Sequence, residues 1–189
     1  MYPHINSNRK LFESKETFNL EGTEHQTEEL EGHAVLIGCH RSGGIILRAL
    51  RRVFGEKLIV VDFNPDVISE LRDQFVKCLY GDISDLEIQE QLALGKAKLI
   101  VSTVRDLDSD LGLLDYLEKI QSKALVIVTA ADAGEAIKLY ERGAHHVSLP
   151  LTLEGSSLSH LITDHQGNFH HLATEKERKL GELKRLVNT

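Results

Sequence analysis

The sequence predicts an α/β fold: a doubly wound parallel sheet of about six strands with a C-terminal helical extension. Three observations carry this. Short runs rich in Val, Ile and Leu alternate with longer amphipathic stretches from residue 33 to about residue 164. The runs are near-continuously apolar, as strands buried on both faces must be. The first of them ends in a glycine-rich turn that opens a helix, the commonest entry into a strand–helix–strand unit.

The expected strands are residues 34–37, 58–61, 99–101, 124–128 and 146–149, with a shorter one at 77–80 ahead of Gly81-Asp82. Between them, residues 42–54, 65–75, 84–94, 108–120 and 132–142 place apolar residues at helical spacing. In the first, Ile45, Ile46, Ala49, Leu50 and Val53 form one stripe. Each stretch begins with Ser, Pro or Asp, residues that start helices by capping free amides or by lacking one. After Pro150 the alternation stops. Residues 153–164 read as a short helix, and 164–168 as a turn. The tail to residue 189 carries Leu172, Leu180, Leu183 and Leu186 among charges, a helix whose stripe needs a partner.

Charge divides the chain the same way. The net charge is −7. Residues 1–32 hold three cations against seven glutamates with no apolar period, an acidic lead-in or linker. Residues 33–163 form the domain, and residues 164–189 the basic helical tail. An acidic chain without clustered Lys and Arg excludes a general grip on nucleic acid. The longest apolar run, residues 124–128, falls far short of the roughly 20 residues of a membrane-spanning helix. The first residues lack the basic and then apolar pattern of a signal peptide, so secretion is not expected. Two cysteines, Cys39 and Cys78, make neither a disulfide framework nor a cysteine-rich zinc site, and a reducing, cytoplasmic setting follows.

The chemistry concentrates at Gly38-Cys39-His40-Arg41-Ser42-Gly43. A strand running through glycine into a helix presents free N–H groups to a phosphate. Against the G-x-G-x-x-G dinucleotide fingerprint the outer glycines stand, and His40 replaces the middle one. Asp62 ends the second strand at the spacing where an acid accepts the ribose hydroxyls, which disfavours a 2′-phosphate and hence NADP. Asp62 also suits the turn before Asn64-Pro65. Together these features describe a Rossmann-like nucleotide site. Arg41 can pair bidentately with a phosphate. A protonated His40 could donate to one, and affinity would then weaken as pH rises. Asp106, Asp108 and Asp110 follow the fourth strand, where they can cap a helix, bind a cation or repel phosphate, capping being the simplest. Cys39 and Cys78 read as small buried residues. His145-His146 and His170-His171 lack partners at metal-ligand spacing.

Six motifs in series, the glycine turn, Val60-Val61-Asp62-Phe63-Asn64-Pro65, Tyr80-Gly81-Asp82-Ile83-Ser84-Asp85, Leu99-Ile100-Val101-Ser102-Thr103, Val126-Ile127-Val128-Thr129-Ala130 and the segment 139–150 with its Gly143-Ala144 and Pro150, resemble the RCK N-lobe, also called KTN or TrkA-N. The resemblance covers about residues 33–163 and is most like the version appended to Kef-type monovalent cation/proton antiporters. It implies a non-enzymatic regulatory domain at the cytoplasmic face of the membrane that binds an adenine nucleotide, forms a homodimer or higher homo-oligomer, and gates potassium or sodium movement through a membrane-embedded transporter domain. By that resemblance Gly38, Arg41 and Gly43 would surround the phosphates, with His40 and Ser42 in the same turn. Asp62 would hold the ribose beside Phe63 and Asn64. Gly81, Asp82 and Ile83 would border the adenine, and Ser102 and Thr103 would line the pocket below the fourth strand. Since His40 departs from the family glycine, AMP or ATP fits at least as well as NAD(H). Two other readings are a free-standing gating subunit of a Trk- or Ktr-type potassium uptake system and an NAD-dependent oxidoreductase. The second lacks a Tyr-x-x-x-Lys pair and has only about 25 residues left for a substrate domain.

Overall fold

The computed structural model describes residues 30–39 and 43–163, together with Lys176, Arg178 and Leu180. The expected lead-in, the turn residues 40–42 and the basic tail lie outside the described residues, but for residues 30–32 and those three tail residues.

Six strands form one wholly parallel sheet: β1 (Ala34–Ile37), β2 (Leu58–Asp62), β3 (Lys77–Tyr80), β4 (Leu99–Ser102), β5 (Leu125–Thr129) and β6 (His146–Ser148), in the spatial order β3-β2-β1-β4-β5-β6. The chain winds outward from β1 to β3, crosses back to β4, and winds outward again. The carboxyl ends of β1 and β4, paired through Ile37 and Ser102, therefore flank the point where the winding reverses, where open α/β sheets bind ligands.

The period-2 alternation of β1 divides the core. Ala34 and Leu36 pack with Leu47 and Leu50 of α1 (Gly43–Phe54) and with Ile68 and Leu71 of α2 (Pro65–Asp73). Val35 and Ile37 face the opposite layer. That layer holds Ile88 of α3 (Leu86–Gln91), Leu113, Leu114 and Leu117 of α4 (Leu107–Lys119), and Ala136 and Leu139 of α5 (Ala133–Glu141). All four β1 residues are almost fully excluded from solvent, so the strand is sandwiched on both faces. A last helix, α6 (Pro150–Thr163), leaves Leu151, Leu153, Leu158 and Ile162 exposed.

Helix starts follow cap chemistry closely. Asn64, Asp85, Asp106 and Asp132 each accept a hydrogen bond from a first-turn amide, opening α2 to α5 in turn. Glu135 reaches back past the Asp132 cap and accepts from the Ala131 amide at 2.8 Å. Several boundaries differ from expectation. The stretch 84–94 is not one helix: Ser84 is held in a turn by Asp82, so Asp85 caps α3, which stops at Gln91. The carbonyl of Leu92 accepts from His33 Nε2 at 2.9 Å, Ala93 takes a left-handed conformation (φ 45°), and a 3₁₀ turn, Leu94–Lys96, follows. Asp106 rather than Asp108 opens α4. Helix α2 ends before the expected residue 75, where Phe75 turns left-handed (φ 55°). The helix expected over 153–164 starts earlier: Pro150 opens α6, with the Leu153 amide donating to the Leu149 carbonyl at 3.0 Å.

Two glycines at the head of α1 behave oppositely. A Cβ on Gly43 would lie 2.5 Å from the Gly38 carbonyl oxygen, whereas one on Gly44 would meet nothing within 4 Å. Gly43→Ala should destabilise the protein by about 1–3 kcal/mol, and Gly44→Ala should be neutral or stabilising by up to about 1 kcal/mol, as read by urea unfolding. His33 supplies a pH test. It is 1 % exposed, its Nδ1 has no partner among the described residues, and burial holds its pKa below the ordinary 6.5. The native state thus binds fewer protons than the unfolded chain. His33 contributes its full stability above about pH 6.5 and loses it as pH falls. Urea midpoints taken at about pH 7 and about pH 5 should fall less between the two for His33→Gln than for the unmodified protein.

Candidate functional site

The site grows from the carboxyl end of β1. Gly38 has φ +80°, and a Cβ there would approach Thr103 Oγ1 to 2.9 Å and Val104 Cγ2 to 3.2 Å; only glycine takes this conformation and this closeness together. Its amide donates to the Val61 carbonyl at 2.8 Å, and its own carbonyl accepts from Thr103 Oγ1 at 2.9 Å. The turn is thereby tied to β2 on one side and β4 on the other.

Asp62 is the centre of the next layer. It is 6 % exposed. Its Oδ2 accepts from the Cys39 amide at 2.7 Å and its Oδ1 from the Asn64 amide at 2.8 Å. The turn role expected of Asp62 is thus seen, and its carboxylate sits oriented at a strand end with lone pairs to spare. Asn64 is spent on capping α2. Beyond β3, Asp82 Oδ1 accepts from both the amide and the hydroxyl of Ser84 at 2.9 Å, and the Ile83 carbonyl accepts from Gln89 Nε2 at 2.8 Å. A Cβ on Gly81 would overlap Ile88 Cδ1 at 2.5 Å, so α3 packs directly on that turn.

These groups enclose a cavity of about 320 Å³. Ile37, Gly38 and Val61 form its base; Asp62, Phe63, Gly81, Asp82 and Ile83 form one wall; Val104, Asp106 and Ser109 form the other. Phe63 is 66 % exposed at the rim. Three carboxylates line the cavity, and no described cation does. The bond from the Ser109 amide holds the Asp106 carboxyl below its ordinary range, so it is charged at neutral pH. The Cys39 thiol is pushed up to about 11, first by burial and then by the Asp62 charge, the reverse of an activated thiol; burial raises Cys78 too. A second recess of similar volume, between α4 and α5, is edged by the exposed Asp115–Arg142 ion pair and has no buried polar group. His145 Nδ1 accepts from the Val126 amide, a structural bond. Among the described residues, no three of His, Cys, Asp and Glu gather as a metal site.

The structure brings Gly38, Asp62, Phe63, Gly81, Asp82 and Ile83 together around the cavity and places Gly43 against the Gly38 carbonyl. His40, Arg41 and Ser42 lie outside the described residues. Ser102 and Thr103, expected to line the pocket, do not. Val101 packs toward α1 and α2, so Ser102 turns to the α4 side and is 1 % exposed, while the Thr103 hydroxyl is taken by Gly38. Sequence reasoning missed Val104 and Ser109, and read Asp106 as a helix cap first, with cation binding or phosphate repulsion as alternatives. The available signal was their place just after β4, across the reversal point from Asp62.

The comparisons agree with this architecture. Residues 34–150 match the model of the TrkA-N domain. The glutathione-regulated potassium-efflux system protein KefC of Cronobacter sakazakii is 27 % identical over 118 residues, which are 62 % of this chain and 19 % of that protein. The chain thus spans about a fifth of the length of the curated relatives it matches. Among solved structures, the TrkA-N domain of inner membrane protein ybaL from Escherichia coli superposes with a TM-score of 0.65 at 22 % identity, over 70 % of this chain and 98 % of that one. The Kef C-terminal domain of Shewanella denitrificans in its AMP-bound form superposes with a TM-score of 0.62 at 19 % identity, over 82 % and 94 %. These two likenesses speak to the fold. With the glycine turn, the acid at the end of β2 and the whole sheet inside the matched segment, this chain belongs to the TrkA-N domain family.

Proposed function

We propose that this chain is a regulatory domain that binds an adenine nucleotide at the carboxyl ends of β1, β2 and β4 and through it gates a monovalent cation/proton antiporter. The observation that carries the reading is Asp62. A carboxylate held by two backbone amides at the edge of the cavity needs no reorganisation to accept ribose hydroxyls. Asp82, with Oδ2 left unengaged among the described residues, suits the exocyclic amine of adenine, and Phe63 offers a face at the rim. Phosphates belong at the opposite end, toward the head of α1, where Arg41, with His40 and Ser42, supplies charge and donors. Asp62 and Asp82 together repel a 2′-phosphate. A cavity of about 320 Å³ stands at the low end of ligand pockets, which favours a mononucleotide such as AMP over NAD(H).

Sensing fits this wall chemistry better than catalysis. Asp62, Asp82 and Asp106 each spend at least one oxygen on holding a backbone turn. The cation-transport side of the proposal is supported by the likeness to KefC. Among the described residues no helix is long and apolar enough to cross a membrane. The domain then acts on a membrane-embedded transporter domain of the same or a separate chain, at its cytoplasmic face. The exposed leucines of α6 supply a surface for homodimer formation.

Calorimetric titration with AMP, ADP, ATP, NAD⁺, NADH and glutathione tests the ligand. At about 100-fold excess over Kd a true ligand adds roughly 2.7 kcal/mol, a rise of several degrees in Tm. AMP should do so, and Asp62→Ala should bind it about tenfold or more weakly. Absence of stabilisation by every adenine nucleotide refutes the reading. Light scattering tests the surface: the unmodified chain should have at least a dimer's mass, and Leu151→Glu combined with Leu158→Glu should lower it to a monomer's.

A further inference from the structure

Asp110 sits where a hydrophobic residue belongs. With Leu113, Leu114 and Leu117 it forms the buried stripe by which α4 packs on the sheet, and it is 1 % exposed. Among the described residues, neither of its carboxyl oxygens has a hydrogen-bond partner. The hydroxyl of Ser102, at the end of β4 and likewise 1 % exposed, has none either. A carboxylate so placed is uncompensated, and nature's remedy is to keep its proton. Burial pushes the Asp110 pKa up to about 7; the adjacent Ser102 hydroxyl acts against the rise and the Asp106 charge adds to it. Among the described residues, Asp106 is the one charged group acting on it. Ser102 faces it from β4. Beside Ser102, Thr129 of β5 gives its proton to the Ser102 carbonyl, and α5 contributes Ala136 and Leu139 to the same core layer. None of these titrates.

This carboxyl is joined to the cavity wall by short links. The Asp110 amide donates to the Asp106 carbonyl at 3.1 Å, and Asp106 Oδ1 accepts from the Ser109 amide at 2.8 Å; Asp106 and Ser109 both line the cavity. On the strand side, Ser102 precedes Thr103, which is bonded to Ile37 and Gly38 at the cavity base. We propose that Asp110 with Ser102 is a proton-binding site coupled to the nucleotide cavity, in which the protonated carboxyl lets the head of α4 seat against β4 and its ionisation unseats that wall. The coupling rests on the nucleotide reading above; the proton site does not. Because linkage is reciprocal, bound nucleotide holds the proton and rising pH weakens the nucleotide. Both ligands then report on one element, the first turn of α4.

The test uses the full 189-residue chain and two readouts. Without nucleotide, Tm of the unmodified protein should fall by several degrees between about pH 6 and about pH 8 relative to Asp110→Asn, which keeps the shape without the charge. With AMP, Kd should rise about five- to tenfold over that range in the unmodified protein and less than about twofold in Asp110→Asn. The ¹³C resonance of the Asp110 carboxyl in the unmodified protein reports the proton directly, so the test survives if the variant does not fold. A midpoint below about pH 5, or parallel Tm curves for the two proteins, overturns the proton site. Equal pH dependence of AMP binding in both proteins overturns the coupling and assigns it to another group, such as His40. If AMP binds at no pH while the Tm curves diverge, the nucleotide reading fails and the proton site stands.

Discussion

The carboxylate of Asp62 holds the site together before any ligand arrives. One oxygen fixes the Cys39 amide and the other the Asn64 amide, so a single side chain joins the turn that leaves β1 to the turn that leaves β2. Hydrogen bonds to a charged acceptor are each worth roughly 1.5–3 kcal/mol when buried, comparable to a large part of a domain's net stability. Gly38 can hold its left-handed conformation because this clamp, the Val61 carbonyl and the Thr103 hydroxyl all grip the turn. Asn64, positioned by the same carboxylate, in turn caps α2. The glycine turn is thus held from two sides, by β2 and by the residue that follows β4.

The charge distribution gives the cavity a direction. Asp62 and Asp82 stand on one wall and Asp106 on the other. Hydroxyl and amine donors are drawn to these carboxylates and anionic groups are repelled from them, so under the proposed reading the phosphate end of a nucleotide points away from them. Acidic residues inside a pocket proposed for a nucleotide are therefore consistent with it, since they sort the two ends of an asymmetric ligand and exclude one with an additional phosphate on the ribose.

Much of this was legible in the sequence because the signals were local. Strand runs of Val, Ile and Leu, the helix starts at Pro65 and Asp132, and the paired Gly38 and Gly43 all act through neighbours within a few residues. The failures were tertiary. Helix α3 stopped early because His33, 59 residues away, takes the Leu92 carbonyl. Ser102 left the pocket because the alternation of β4 turned it toward α4, and Thr103 because Gly38 claimed its hydroxyl. Val104 and Ser109 became cavity walls only through the strand order, which places the end of β4 beside β1. Asp110, one of three aspartates that read most simply as helix caps, is buried because helical geometry rotates it onto the leucine stripe.

The bond between Gly38 and Thr103 spans 65 residues of chain, and the far wall lies further on, at Asp106 and Ser109. During synthesis the first half of the sheet, β1 to β3, can pair as soon as it leaves the ribosome, but the cavity has no second wall until α4 has emerged. A ligand of this cavity therefore cannot rescue an early intermediate of the domain; it could only select chains in which both halves of the sheet have already met.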